Sequence, residues 1–256
     1  MTELPGELEG DRRLRSASAA TWPAIDTEQL GDWQLRSSRG FTGRANSVLV
    51  VGDPGLPPAT AAGRAVEFYR RHHQPALARV VVGSPGERTL RDLGWIEARP
   101  GEADCWVMTR PIDPAAPDRR ADDVHVTGFT ADWLAAKFPA GTPDGAAEVL
   151  GGGLSVFASV RAAGGAVVGV GSGSVAGGHV GITALGVAES HRRTGIGTRL
   201  LEALIAWGRD EGAETAFLEV LDDNLGARQA YRRSGFVDRY AYRYLTDPGA
   251  GAGPAG

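Results

Sequence analysis

The residues with the clearest chemical potential form a short glycine-containing loop before an amphipathic helix. The loop reads RRTGIGT, residues 192–198, and it follows an apolar segment that we predict to be a strand from Ile182 to Val187. Gly195 and Gly197 lack a Cβ, so the backbone around them can approach a ligand closely. The first N–H groups of a helix have no intrahelical acceptor and lie at the positive end of its dipole. The loop is therefore predicted to bind a phosphate group.

Two common nucleotide-binding loops do not match this segment. A P-loop requires Gly-Lys-Ser/Thr at the helix start, whereas Gly197 and Thr198 are followed by Arg199. The dinucleotide-binding pattern G-x-G-x-x-G requires a third glycine where Leu200 stands. The upstream segment also has the pattern of antiparallel hairpins and not of an opening βαβ unit. Glu219 does lie about 20 residues further on, where the dinucleotide-binding pattern has an acidic residue, but it lies inside the predicted strand and not at its end. An ordinary loop before an ordinary helix is the remaining alternative.

A second motif, further along the chain, argues against that alternative. The segment NLGARQAYRRSGF places Asn224, Ala227, Tyr231 and the pair Gly235-Phe236 in this order after the loop. With both motifs the chain resembles the GCN5-related N-acetyltransferase (GNAT) family, whose cofactor motif is R/Q-x-x-G-x-G/A. The resemblance covers about residues 155–245 well and the preceding chain in outline. The whole layout resembles a two-part actinobacterial subgroup with a degenerate N-terminal GNAT-like part.

The resemblance implies how acetyl-CoA, the expected co-substrate, binds. In this family it lies in an opening between two parallel strands, with its pyrophosphate on the loop and the helix start. The end of the preceding strand would hydrogen-bond the pantetheine and polarise the thioester carbonyl. Many members have a proline shortly after this strand, where Ala188 and Glu189 stand here. The residues that the resemblance assigns to acetyl-CoA are Leu185, Gly186, Val187, Arg192, Arg193, Thr194, Gly195, Ile196, Gly197, Thr198, Asn224 and Tyr231.

The resemblance also implies two catalytic side chains. Direct transfer needs a neutral amine and a stabilised or protonated CoA thiolate. Tyr231 matches the family tyrosine that can donate a proton to the sulfur, and its purely structural role would be to anchor a short helix. Glu219 is the candidate base, because burial beside apolar residues would raise its pKa. The alternatives are that Glu219 pairs with an arginine, or that Asp222, Asp223 and a water chain take the proton. Asn224 is expected to bind pantetheine, to cap the following helix, or both.

Composition limits the class of protein. The chain has 256 residues, of which 42% are hydrophobic, enough for the core of one large or two small domains. No apolar run approaches the roughly 18 residues of a membrane span, and the charged N-terminus lacks the pattern of a signal peptide. The formal net charge of -4 argues against a nucleic-acid partner. The single cysteine, Cys105, cannot form an internal disulfide, so we expect a cytoplasmic protein. No metal site is expected.

The predicted elements give an α/β (α+β) class, because strands and helices alternate throughout. The resemblance implies the acyl-CoA N-acyltransferase fold, which is a mixed and mostly antiparallel sheet with flanking helices, in two tandem GNAT-like domains. A proline-rich segment between them has the composition of a linker, and both chain termini lack periodic apolar positions. The predicted organisation is a disordered N-terminus (1–20), a degenerate GNAT-like first part (21–112), a linker (113–123), a catalytic second part (124–246) and a disordered tail (247–256).

The two parts share an outline of hairpin, helix, strand, short helix and strand. In each, the short helix ends in a glycine followed by an aromatic residue, Gly94-Trp95 and Gly235-Phe236, which suggests an internal duplication. The first part has no glycine loop, so we expect it to shape the acceptor site and not to bind acetyl-CoA. Its polar strand residues Arg36, Arg44 and Asn46 are candidates for a substrate or interdomain surface.

The resulting hypothesis is an acetyl-CoA-dependent N-acetyltransferase. It would move the acetyl group directly to a primary amine of a small molecule or peptide, through a ternary complex. We expect a monomer or homodimer with no nucleic-acid or membrane partner. The alternative from another class is a non-catalytic acyl-CoA-binding regulatory module.

Overall fold

The structure, a computed structural model, describes residues 9–249. Two short 3-10 turns lie at Gly43–Ala45 and Glu189–His191. The helices are α1 (Glu9–Ala20), α2 (Pro58–Arg71), α3 (Pro85–Asp92), α4 (Ala131–Lys137), α5 (Ala146–Leu150), α6 (Ile196–Asp210) and α7 (Leu225–Arg233). The strands are β1 (Asp26–Leu30), β2 (Trp33–Ser37), β3 (Val48–Leu49), β4 (Leu77–Val81), β5 (Ile96–Glu97), β6 (Cys105–Pro111), β7 (Val124–Thr127), β8 (Leu154–Arg161), β9 (Val167–Ala176), β10 (His179–Val187), β11 (Thr215–Leu221) and β12 (Val237–Thr246).

The strands of the described residues form one mixed sheet. Its order is β1-β2-β3-β4-β12-β6-β11-β10-β9-β8-β7, and β5 pairs with β12 beside this path. Two neighbouring pairs are parallel, β3 with β4 and β10 with β11, and the others are antiparallel. In both parts of the sequence the parallel strands are connected by a helix, α2 or α6. The predicted fold class is therefore confirmed.

The two parts of the sequence exchange their last strands. β6 comes from the first part but lies between β11 and β12 of the second. In return, β12 pairs with β4 of the first part. β6 and β12 also pair with each other, with Cys105 opposite Tyr242, at the centre of the sheet. The structure thus interleaves 21–112 with 124–246, and each part completes its sheet with a strand of the other.

Helix α6 covers one face of the second part. Its residues Leu200 and Leu204 are fully buried in a cluster with Ile182 of β10. Gly208 allows the close approach, because a Cβ there would lie 2.6 Å from the side chain of Val180. This packing fixes the start of α6 relative to the end of β10. None of the helices within residues 9–249 is both long and apolar enough to cross a membrane.

The opposite face of the second part carries a different, aromatic cluster. Neighbouring residues of a strand point to opposite faces of a sheet. Accordingly, Val156 belongs to the α6 cluster, whereas Phe157 packs with Trp22, Phe41 and Trp133. This aromatic cluster contains residues of both parts of the sequence, so the first part helps to build the face that lies opposite α6.

Residues 9–20 form α1, so the prediction of disorder for 1–20 is wrong there. The helix buries small and polar residues such as Ser18 and Arg15 beside Leu14. Because its buried face contains little large apolar surface, the sequence lacks the periodic signal of an amphipathic helix. Residues 1–8, and 250–256 of the predicted disordered tail, lie outside the described residues.

We expect a fragment of residues 113–256 not to fold alone, because without the first part β11 loses its β6 neighbour and β12 loses both β6 and β4. Gel filtration and urea unfolding followed by circular dichroism test this, with an expected loss of the cooperative transition. Adding a fragment of residues 1–112 should restore the transition. A flexible insertion in the linker, which keeps the exchange, is the control. A cooperatively folded 113–256 fragment would contradict the expectation.

Candidate active site

The parallel strands β10 and β11 separate halfway along their length. Their pairing ends at Ile182 opposite Leu218. In β10 the register with β9 shifts after Thr183, and Ala184 has a φ of 54°, the signs of a β-bulge. Beyond this point the structure records no pairing of β10 with β11 among the described residues. Residues 185–187 therefore border an opening between the two strands, as predicted for the pantetheine and thioester.

The loop before α6 turns a series of backbone donors outward. Gly195 has a φ of 82° and Arg193 a φ of 63°, both in the left-handed region. The Thr194 hydroxyl donates to the carbonyl of His191 at 2.6 Å and tightens the turn. Within residues 9–249 no protein acceptor is recorded for the N–H groups of residues 193–198. Successive free N–H groups at a helix start form a site for a di-anionic group such as pyrophosphate.

Gly197 leaves space in front of these donors. A Cβ at this position would meet only Val187, at 3.8 Å, which is ordinary van der Waals contact. Packing of the protein itself therefore does not require a glycine here. Binding of a ligand by the neighbouring N–H groups would explain the glycine, because a side chain would keep the ligand away from the backbone. The loop thus fits the pyrophosphate predicted for it.

The side chains of the loop have different roles. Arg192 and Arg193 are exposed, and Arg192 Nε donates to the carbonyl of Val187 at 3.3 Å. Ile196 is buried in the core under α6, so only its backbone faces the opening. Thr198 is exposed on the first turn of α6. Positive charge and backbone donors are therefore combined at the end of β10.

The second predicted motif lies on α7 beside β11. The Asn224 side chain accepts from the N–H of Ala227 at 3.2 Å, so it caps the helix as predicted. Tyr231 packs against the α6 core, with its ring centroid 6.2 Å from that of Phe236. Burial raises the pKa of Tyr231, and its hydroxyl makes no hydrogen bond with a described residue. The phenol therefore stays protonated at neutral pH and is free to donate.

Glu219 lies in a buried polar cluster on the opposite face. Its side chain is only 3% exposed. One carboxylate oxygen accepts from Ser18 at 2.7 Å and from Arg79 at 2.7 Å. The other accepts from the Tyr242 hydroxyl at 2.6 Å and lies 3.2 Å from Arg44 Nε. Both oxygens are therefore occupied by donors from other elements.

The prediction that burial raises the pKa of Glu219 is wrong. Burial does favour the protonated form, but the charges of Arg79 and Arg44 outweigh it and hold the pKa well below its usual range. A carboxylate so stabilised is a poor proton acceptor. The structure matches the alternative in which Glu219 pairs with arginine, and it connects β11 of the second part to β4 of the first.

The other carboxylates near the end of β11 lie outside this cluster. Asp222 accepts from Trp106 Nε1 at 3.0 Å and also contacts Arg228. Asp223 is exposed. The nearby histidines make local contacts, His179 with a backbone carbonyl and His191 with a serine hydroxyl. Within residues 9–249 no group of three or more His, Cys, Asp or Glu is placed to hold a metal ion.

The polar residues of the first part have structural and site roles. Arg36 is buried and donates to the backbone carbonyl of Arg44 at 2.7 Å and to that of Ala19 at 3.1 Å. Asn46 closes its own loop by donating to the carbonyl of Phe41 at 2.7 Å. Of the three predicted candidates, Arg44 contacts Glu219, the residue that follows the last residue of β11 paired with β10. Sequence analysis missed Arg79, although an arginine inside the apolar strand LARVV is an unusual signal.

The comparisons with known proteins agree with this geometry. A family model described as "Probable histone acetyltransferase Rv0428c C-terminal" matches residues 10–245. A solved GCN5-related N-acetyltransferase from Kribbella flavida has a TM-score of 0.66, with 18% identity, and covers 93% of this chain and 95% of its own. The chain belongs to the GCN5-related N-acetyltransferase family. The resemblance drawn from the two motifs is therefore confirmed, and the GNAT fold with it.

Two curated relatives match most of the chain. The uncharacterized N-acetyltransferase YobR of Bacillus subtilis is 28% identical over 255 residues, covering 91% of this chain and 97% of its own. The probable histone acetyltransferase Rv0428c of Mycobacterium tuberculosis is 28% identical over 228 residues, covering 87% and 70%. A solved tandem GNAT protein from the clavulanic acid biosynthesis pathway has a TM-score of 0.60 at 17% identity, covering 81% and 76%. Together with the family model, the curated relatives support the acetyltransferase class.

We expect Glu219→Gln to lower the free energy of unfolding by about 3–5 kcal/mol at pH 7, because Arg79 loses its buried counter-charge. The folded-state pKa of Glu219 is depressed, so its contribution is present above the usual carboxyl pKa of about 4.3 and is lost as the pH falls below it. The difference between wild type and variant should therefore shrink in acid. Urea unfolding from pH 7 to 3 measures it.

The exposed Glu214→Gln is the matched control for Glu219→Gln and should leave the free energy of unfolding unchanged. Equal stability of wild type and Glu219→Gln at pH 7 would show that the cluster contributes nothing.

Proposed function

We propose that this GNAT protein transfers the acetyl group of acetyl-CoA directly to a primary amine in a ternary complex. The observation that carries the proposal is the opening between β10 and β11, which leads from residues 185–187 to the free N–H groups of 193–198. A pyrophosphate on these donors would let a pantetheine arm run along the separated strands. The thioester would then lie near the bulge at Ala184.

The first part is not suited to the same role. Its corresponding helix, α2, begins after Pro57 with Pro58 at its first position. Proline has no N–H group, so this helix start has two fewer N–H donors than the start of α6. We infer one acetyl-CoA site per chain, in the second part.

Backbone groups of β10 would stabilise the transition state. When the amine attacks, the thioester carbonyl oxygen gains negative charge. The edge of residues 185–187 that faces the opening has no strand partner in the described residues, so it is available to hydrogen-bond that oxygen. A fixed donor at this place binds the oxyanion more strongly than the ground-state carbonyl and lowers the barrier.

Two proton movements complete the transfer. The amine nitrogen forms the bond to the carbonyl carbon, the carbon–sulfur bond breaks, and Tyr231 donates its phenolic proton to the leaving sulfur. The proton lost by the amine goes to solvent, because Glu219 is fully engaged and has a depressed pKa. Solvent then returns a proton to Tyr231.

We expect Gly197→Ala to abolish most of the thermal stabilisation by acetyl-CoA and to raise its KM about tenfold, equivalent to 1.4 kcal/mol of binding. The added Cβ contacts only Val187 at an ordinary distance, so the fold is kept. Gly63→Ala is the matched control, because Gly63 is an exposed residue of α2 and an added Cβ there would meet no atom within 4 Å. This variant should bind acetyl-CoA normally. The same shift for both variants would rule out the loop as the acetyl-CoA site.

We expect Tyr231→Phe to lower kcat for thiol release by about tenfold or more, as loss of a general acid does. The acetyl-CoA-induced rise in Tm should remain, because the ring and its packing are retained. An unchanged kcat would remove the role given to the phenol. Stabilisation by acetyl-CoA without thiol release from any amine would favour the non-catalytic binding module.

A further inference from the structure

The acceptor can approach the opening from only one face of the sheet. Helices α6 and α7 pack together on one side of the sheet, where Leu200, Ala227 and Tyr231 share a cluster. An amine that attacks the thioester at the bulge must therefore come from the other side. That side is formed by α1, α4 and the turn Gly43–Ala45, so its side chains select the acceptor.

Arg44 lies on this face next to the opening. Its Nε is 3.2 Å from Glu219, and its guanidinium carbon lies 5.0 Å from the centroid of the Trp22 ring. The side chain remains 28% exposed. Glu219 also neutralises Arg79 at 2.7 Å, so one carboxylate is shared by two guanidinium groups. The cluster keeps an excess of positive charge, and Arg44 is its more exposed member.

Lys137, the single lysine of the sequence, adds a second positive charge at the end of α4. It is partly buried, and burial together with the charge of Arg44 lowers its pKa. The structure records no ion pair or hydrogen bond from Lys137 to any residue within 9–249. Helix α4 is fixed by Trp133, whose indole donates to the carbonyls of Ala158 at 3.0 Å and Gly171 at 3.1 Å. Lys137 is therefore a charge on a fixed helix, without a recorded partner among residues 9–249.

The aromatic cluster extends to the bulge of β10, and Arg44 and Lys137 lie at its border. Phe138, which follows Lys137, packs with its ring centroid 5.9 Å from that of Phe41. Ala184, at the bulge of β10, belongs to the same cluster. Arg44 contacts Glu219 of β11 on the other side of the opening. Both cations therefore border the cluster that contains the bulge, and they are close enough for the charge of Arg44 to lower the pKa of Lys137.

The carboxylates around this face are already paired. Asp132 on α4 contacts Arg161 at 2.8 Å. On the loop before α5 and on α5 itself, Asp144 and Glu148 share Arg39. None of them is placed to neutralise Lys137 or to hold a second cation.

The cavity beyond the end of β11 shows the same pattern. Its carboxylates are Glu97, Glu102 and Asp104, and each forms an ion pair, with Arg243 or Arg99. Among the described residues, these three carboxylates therefore offer no unpaired charge to a polycationic acceptor.

We propose that the acceptor carries an anionic group, a carboxylate or a phosphate, close to its primary amine, and that Arg44 and Lys137 bind this group. The inference rests on the proposed acetyl transfer and concerns only its acceptor. An anion between a guanidinium and an ammonium gains charge-assisted hydrogen bonds. It also supplies the counter-charge that Lys137 lacks. Polyamines and lysine-rich peptides are disfavoured, because their extra charges are repelled.

Matched acceptor pairs test this proposal with the full chain and acetyl-CoA. Alanine is compared with alaninamide, and phosphoethanolamine with ethanolamine. The first pair tests a carboxylate and the second a phosphate. Spermidine and a lysine-rich peptide represent polycations. Thiol release should give the anionic member of at least one pair a kcat/KM about tenfold higher, a 1.4 kcal/mol preference. The proposal would be overturned if the neutral member were equal or better in both pairs, or if a polycation were the best acceptor.

Variants of Lys137 connect the preference to this residue. Lys137→Arg should keep the preference for the anionic member, Lys137→Met should reduce it about tenfold, and Lys137→Glu should reverse it toward spermidine. Arg39→Met changes an exposed arginine that is paired with Asp144 and Glu148, and it should keep the wild-type preference. An unchanged preference in Lys137→Glu would exclude Lys137 from acceptor binding.

The outcome also separates this proposal from the one on which it rests. Absence of both acetyl-CoA stabilisation and thiol release would refute the proposed function. Stabilisation by acetyl-CoA and transfer to neutral or cationic amines alone would refute only the anionic acceptor. Stabilisation without transfer to any member of the panel would also overturn the acceptor proposal.

Discussion

The buried contact between Glu219 and Arg79 fixes how the two parts of the chain meet. Removing two charges from water is costly, and the cost is offset only when the geometry is good and the remaining lone pairs are satisfied. Ser18 from α1 and Tyr242 from β12 meet this condition. Four elements must therefore be in place before the carboxylate is stable. One wall of the opening is held by residues that lie far from it in sequence.

The two parts have the same order of elements but different chemistry at the corresponding helix starts. Gly195 and Gly197 free a row of N–H donors before α6, whereas Pro57 and Pro58 remove donors before α2. The first part instead supplies Arg44 and Arg79, together with a strand for the centre of the sheet. One part thus retains the anion site, while the other supports it and forms a wall of the acceptor face.

The sequence predicted well what depends on local spacing. The loop before α6 and the cap formed by Asn224 follow from short patterns, because helix starts are set by neighbouring residues, and the resemblance to the GNAT family implied the mixed sheet. The environment of Glu219 could not be predicted in this way. Its partners come from α1, from β4, from a turn of the first part and from β12, and only the tertiary fold brings them together. The same holds for α1, whose buried face is polar and small.

The exchange of β6 and β12 also has a consequence for the order of folding. During synthesis β6 is made long before β11 and β12, its two neighbours in the sheet. Contacts between residues so distant in sequence require the closure of a large loop and slow the folding reaction. Both edges of β6 stay unpaired until the second part has emerged from the ribosome. The chain is thereby exposed to aggregation during this interval, and folding of its centre is post-translational in character.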